Sequence, residues 1–256
     1  GQAVGVYGLA VALPNLVVLP LSVAVAEAFG FWWVFAMAAM PVLGIPAALL
    51  LDRSVPRPAP RQESTESAVG RAALPTLMLF VVTLAGGGLA TFLPQVTGSS
   101  ALSVAALAIF GLVSALSRWG IGAVADRRGA HTLLAPMLGI AAAGLGLIAC
   151  GVEWRGASWV LVPAVAVLGL GYGSIQNLTL VAAFARVDRA GYASASAVWN
   201  IGFDAGTGLG AVALGVIASV STFTVGFVAL ALAAVAAIPL TPGTRPETFG
   251  QGGDAG

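Results

Sequence analysis

Apolar runs of about 20 residues, with the charges gathered between them, recur along the whole chain; a helix needs that length to cross the ~30 Å hydrocarbon core of a bilayer. Eight runs can be marked out: Gly5–Val25, Phe31–Leu51, Ala72–Leu93, Leu102–Gly122, Thr132–Val152, Ser158–Phe184, Tyr192–Ala218 and Thr222–Leu240. The rest of the composition leaves little else to build. Charged residues make up 8% of the 256 and apolar ones 59%, where a soluble domain is about 25% charged. So few charges cannot make a water-facing surface, which excludes a cytosolic enzyme and a nucleic-acid binder. A membrane barrel would alternate in polarity over strands of about ten residues, whereas these runs are apolar on every side. The expected fold is therefore an all-α membrane protein with eight transmembrane helices in a lipid bilayer. One cysteine, Cys150, and one histidine, His131, preclude an internal disulfide and a Cys/His metal site; neither a metal nor a cofactor is expected.

Of the 11 basic and 10 acidic residues, only Arg118 and Asp204 fall inside the runs, Arg118 near the end of its own. The connections report orientation. Arg53, Arg57, Arg61, Arg71, Arg127, Arg128, Arg186, Arg189 and Arg245 lie in alternate connections and the tail, and only Arg155 lies in the opposite set. Basic loops stay cytoplasmic, so the arginine-rich side, with the linker and the C-terminus, is expected to face the cytoplasm from the cell membrane. Trp32, Trp33, Trp154 and Trp159 would then mark the outer interface and Trp119 the inner one, with Trp199 deeper. The organisation expected is two helices over residues 1–51, a proline-rich cytoplasmic linker over 52–71, six helices over 72–240 and a disordered tail over 241–256. Shifting the chain by 190 residues lays Gly1–Leu50 over Gly191–Leu240, two helices over two in the same orientation. Such repeats occur where two similar bundles rock about a central site.

The fourth run ends in Arg118-Trp119-Gly120-Ile121-Gly122-Ala123-Val124-Ala125-Asp126-Arg127-Arg128-Gly129. Gly122, Asp126, Arg127 and Gly129 in this spacing resemble the cytoplasmic loop motif of the major facilitator superfamily, with Ala130 and His131 where the family continues with two basic residues. Gly122 lets two helix ends approach closely, Asp126 can face the positive N-terminus of a neighbouring helix, and the arginines stay among headgroups. Together with Arg118 they would form a breakable contact that gates the protein; the plain alternative is that they are ordinary orienting charges. The family has twelve helices in two halves. The resemblance thus implies that the eight runs are the last two helices of the first half and all six of the second, in a truncated transporter lacking the first four helices.

Trp199-Asn200-Ile201-Gly202-Phe203-Asp204, with Gly169-Leu170-Gly171-Tyr172-Gly173, looks like the sugar-efflux and drug-efflux branch. The resemblance implies a secondary active transporter, not an enzyme, which moves a small-molecule substrate by alternating access with proton-coupled efflux. It implies no nucleic acid and no obligate protein partner. An uptake permease of the same fold and a non-transporting membrane scaffold or receptor stay open as alternatives.

Asp204 is the sharpest single signal, a carboxylate near mid-bilayer, where a charge costs roughly 2.5–3.5 kcal/mol on insertion scales. At 100° per residue it shares a sector with Ser196, Asn200 and Thr207, while Gly202, Gly206 and Gly210 occupy another. Asp204 with Asn200 is the proton-coupling candidate; the alternative is a carboxylate satisfied by Asn200, Ser196 or a neighbouring helix. Tyr172 and Gln176 share one face of the sixth run, and Thr83 and Gly87 one face of the third. By the resemblance these helices line the central cavity, which makes the four residues candidates for substrate contact, while interhelical hydrogen bonding or close packing could equally account for them. Walls rich in glycine and alanine suit an uncharged or amphipathic solute.

Overall fold

The computed structural model describes residues 17–18, 20–46, 49–50, 65–154 and 158–241. The expected tail from 242 onward, the linker up to 64 and the first part of the first expected helix lie outside the described residues. Six helices are long and apolar enough to cross a membrane: α1 (Thr65–Thr97), α2 (Ser100–Arg128), α3 (Ala130–Glu153), α4 (Ser158–Phe184), α5 (Tyr192–Val220) and α6 (Phe223–Ala237), the last extended by a 3₁₀ turn. They are six of the eight expected. In the N-terminal region the described helices are shorter, Pro20–Phe29 and Phe31–Gly44. Gly30, at φ +88°, separates them. The second passes from α-helix into a 3₁₀ turn at Met40–Gly44 with Pro41 in its first turn, where a backbone without an N–H cannot add an α-helical hydrogen bond.

Helix ends follow backbone chemistry more closely than hydropathy. The α2 helix continues six residues past Gly122, where its apolar run stops, carrying Arg127 and Arg128 in its last turn, and basic side chains suit that end of the helix dipole. Gly129, at φ +82°, ends it and is at once the N-cap of α3. At the α1–α2 corner Gly98 turns the chain at φ +59°, and the Ser99 hydroxyl accepts from the Leu102 amide at 3.4 Å. Corners this short make α1, α2 and α3 antiparallel.

The packing places α4 at the centre of the bundle, against α2, α3 and α1, while α5 lies along α1 and α6 along α3. Lipid supplies no hydrophobic drive between helices, so small residues that allow backbone contact decide the seams. A Cβ added to Gly87 would enter the Thr207 carbonyl, and one added to Gly210 the Leu84 carbonyl, so α1 and α5 touch backbone to backbone. On α4, Gly169 and Gly173 meet Phe110 and Ser114 of α2, while Gly171 meets Met137 and Ala141 of α3. The glycine run from 169 to 173 is a two-sided packing device.

The two ends of the bundle differ. Ala68, Ala72, Ala183, Val187 and Ala195 cluster at one, which brings the starts of α1 and α5 to the end of α4. Arg71, Arg127, Arg128, Arg186 and Arg189 are at this end, given the antiparallel course of the helices. At the other, a cavity of about 430 Å³ lies between the ends of α1 and α3 and the starts of α4 and α6, with Gln95, Thr97, Val152, Leu161 and Phe223 in its wall.

Candidate functional site

The surface of α5 divides into three sectors. Gly202, Gly206 and Gly210 are buried against α1, over Thr76, Thr83 and Leu84. Ile201, Leu209, Val212 and Val216 are exposed and apolar, as a lipid-facing surface must be. Between them runs the polar sector expected from the sequence, with Ser196 and Thr207 half-buried and Asn200 and Asp204 exposed. The Asn200 amide donates to the Ser196 carbonyl at 2.8 Å and Thr207 to the Phe203 carbonyl at 2.9 Å. Asp204 stands two residues before the midpoint of α5, about 3 Å from it along the axis. The sector adjoins α4, because the Tyr172 phenol meets the Thr207 side chain. Tyr172 itself is buried, its ring 5.1 Å from that of Phe110 and over Gly86.

One helical turn along α4 from Tyr172, the structure gathers a second group. Arg118 of α2 is 3% exposed and Gln176 of α4 5%, and the guanidinium Nη1 donates to Gln176 Oε1 at 2.8 Å. The Asn177 amide donates to the Arg118 carbonyl at 2.9 Å, and Ser117 Oγ to the Gly169 carbonyl at 3.3 Å. From α5, Trp199 lays its ring 5.7 Å from the guanidinium carbon, a cation–π distance. Its indole N–H is fixed on Thr179 Oγ1 at 3.1 Å, and its ring stacks on Phe203 at 5.8 Å. Three helices thus converge on one guanidinium. Ser114 Oγ, Ser174 Oγ and Asn177 Oδ1, all buried nearby on α2 and α4, have no hydrogen-bond partner among the described residues, so this seam is more polar than packing between helices in lipid requires.

The other sequence candidates fall elsewhere. Thr83 is fully buried, donating to the Phe80 carbonyl at 3.0 Å, and Gly87 lies against the Thr207 backbone; both belong to the α1–α5 seam. Gly122 is buried, Asp126 and Arg127 are exposed at the end of α2, and Gly129 makes the turn. Arg118, grouped with these loop residues by the sequence, sits eight residues before Asp126, about 12 Å further into the bundle. Helical angles put Thr179 on the face of Gln176 and turn Asn177 about 100° away from it, and neither these two nor Ser117 is a candidate from the sequence; the depth of Trp199 is the signal that points here. Among the described residues no group of three or more His, Cys, Asp or Glu side chains could hold a metal ion.

The family model of the Major Facilitator Superfamily matches residues 1–196. The chain belongs to that superfamily. No curated protein and no solved structure matches it. As a major facilitator protein it is a multi-pass membrane protein of a family of transporters rather than enzymes, which bind small-molecule substrates within the bilayer. The matched span takes in α1 to α4, the Gly122–Gly129 corner, Arg118 and Gln176, while Trp199, Asn200 and Asp204 lie beyond it.

Proposed function

We propose that this major facilitator protein is a secondary active transporter that moves a small solute by alternating access, coupled to protons at Asp204 and working as an exporter of the efflux branch. In this reading the six long helices are the second half of a twelve-helix fold, residues 1–51 close the first half, and 52–71 join the two. The arginine-bearing end is the cytoplasmic face of the cell membrane. The observation that carries it is the exposed polar sector of α5, a carboxylate near mid-depth with an amide one turn before it, on a helix whose other exposed sector is apolar from Ile201 to Val216.

Hydrocarbon would charge roughly 2.5–3.5 kcal/mol for Asp204, so the polar sector faces a second helical layer or a water-filled cavity. Protonation makes the carboxyl neutral and lets that surface close over; opening to the other side returns it to water, where it ionises and releases the proton. Since α1 and α5 touch backbone to backbone, they can carry Asp204 as one piece. One charge crossing 100 mV is worth about 2.3 kcal/mol, enough for a roughly fifty-fold solute gradient.

The test is the full-length protein in proteoliposomes that enclose a pH dye, under an imposed proton gradient, with a pool of small metabolites as solutes. Solute-dependent proton flux is expected in the native protein and should be abolished in Asp204→Asn with helix content retained. Unchanged flux in that variant would overturn the role of Asp204. Solute movement down, rather than against, the direction of proton flow would identify an uptake permease.

A further inference from the structure

We infer that the six-helix bundle is two rigid blocks, α1 with α5 and α2 with α3, α4 and α6, and that the first swings against the second about the arginine-bearing end. What the swing is for, carrying Asp204 between the two sides, rests on the transporter reading above; the division itself rests on the packing.

Within each block, backbone meets backbone. Cβ atoms added to Gly87, Gly206 and Gly210 would crowd the carbonyls of Thr207, Phe80 and Leu84, which locks α5 to α1. A slide of one turn would put Val198 or Leu214 where a glycine now sits, so the pair holds one register. In the second block Gly169 and Gly173 meet the carbonyls of Phe110 and Ser114 on α2, Gly171 meets the Met137 carbonyl on α3, and Gly144 of α3 meets the Leu168 backbone of α4. The α6 helix goes with α3, along which it packs, and Thr224 donates across the two to Glu153 Oε2 at 2.9 Å. Between the blocks the contacts are of another kind. Trp199 reaches Thr179 and Arg118, the Tyr172 phenol reaches Thr207, and the ring of Phe92 lies 5.4 Å from that of Phe223. Gly86 meets the Tyr172 ring, and Gly226 the Leu214 side chain. Such contacts can be remade in a new rotamer, and the shear of packed helices is a small slide along a surface of this kind; interlocked backbones would first have to part.

The two ends of the dividing surface differ, and that sets the pivot. At the arginine-bearing end Ala68, Ala72 and Ala195 of the first block press on Ala183 and Val187 of the α4 side, all of them buried. At the far end the cavity of about 430 Å³ lies on the same surface, with Gln95 and Thr97 of α1 on one side and Val152, Leu161 and Phe223 of α3, α4 and α6 on the other. The alanine contact is a fulcrum, and the cavity is room for α1 and α5 to swing. Where the chain joins the blocks at that end it is not helical. Gly98, at φ +59° and with nothing within 4 Å of its Cβ position, links α1 to α2, and Ser221 links α5 to α6. Hinges are a few loop residues that absorb the change in φ and ψ. Asp204 rides on the moving block, while Trp199 and Thr207 slide over Arg118, Thr179 and Tyr172.

A cross-link inside a block should be harmless, and one that joins the blocks should stop the cycle. In the full-length protein with Cys150→Ala, Thr76→Cys and Gly202→Cys pair α1 with α5 at a Cβ separation of 3.7 Å, the span of a disulfide. Phe92→Cys and Phe223→Cys, bridged by a short bis-methanethiosulfonate, join the blocks beside the cavity. In the proteoliposome assay above, the first cross-link should leave solute-dependent proton flux as it was before oxidation; the second should abolish it, and a reductant should restore it. Electron paramagnetic resonance in nanodiscs needs no flux. Spin labels on cysteines at Gln95 and Val220, both exposed and both in the first block, should show one distance in acid and in alkaline buffer. Labels at Gln95 and Val225, exposed in different blocks, should show two, in proportions that change with the buffer. Loss of flux on the first cross-link, full flux through the second, or one fixed distance for both label pairs would each overturn the inference. Absence of any proton flux in the native protein would instead sink the transporter reading, and the label distances would still decide the division.

Discussion

At Gly87 the side chain that matters is the one that is absent. A methyl group there would occupy the carbonyl of Thr207, so α1 and α5 can meet only while the position is glycine. Helical angles placed Gly87 on a face with Thr83, and they are right about the face. They cannot say whether that face meets a cavity or another helix, and here it meets α5, where Gly206 and Gly210 answer it. Replacing Gly87 by valine should cost about 1–3 kcal/mol, the usual range for overpacking, and should lower the melting temperature of the detergent-solubilised protein. Gly139→Val, with nothing within 4 Å of its Cβ position, is the control that should melt close to the native protein. Equal losses in both would mean that β-branching in the helix, and not backbone contact, sets the cost.

The α2 helix shows which parts of an element a sequence reveals. Its apolar run was legible because hydrocarbon demands an uninterrupted stretch, and Leu102 to Gly122 supplies one. Its end was not, because a helix stops where its backbone hydrogen bonds find an alternative, and that happens at Gly129, beyond the charged turn. The error in length was also an error in depth: with the helix ending at Gly122, Arg118 reads as a charge at the membrane surface. With the end at Gly129 it is interior, and its partners come from α4 and α5, 58 and more residues away. Long-range partnership of this kind leaves no local spacing to find: helical angles single out Gln176 by its face and give no reason to choose Asn177, one position on, whose amide reaches the Arg118 carbonyl. The corner itself can be tested. Gly129→Ala would hold an alanine at φ +82° with its methyl against the His131 ring, a strain of about 1–3 kcal/mol. Hydrogen exchange should quicken in the last turn of α2 and the first of α3 and stay unchanged at Gln176 and Trp199; unchanged exchange at the corner would show that the turn tolerates a side chain.

For the whole molecule, orientation is the property that the arginines fix and the helices transmit. Because the corners are short and the helices antiparallel, Arg71, the Arg127–Arg128 turn and the Arg186–Arg189 turn share one end of the bundle, and no arginine among the described residues lies at the other. Basic residues resist translocation, so that end should be cytoplasmic; were it outside, every one of these charges would have had to cross the bilayer during insertion. The chain permits a clean test, since Cys150 is its single cysteine. In a Cys150→Ala background, Ser221→Cys places a thiol in the exposed α5–α6 turn and Asp188→Cys one in the exposed α4–α5 turn, at opposite ends. A membrane-impermeant maleimide added to intact cells should label the first and reach the second only after permeabilisation. The reverse pattern would put the arginines outside. It would also exchange the two sides to which Asp204 opens in turn, because a carboxyl midway along α5 is nearly as far from one end as from the other, and only the orientation of the bundle says which of them meets the cytoplasm.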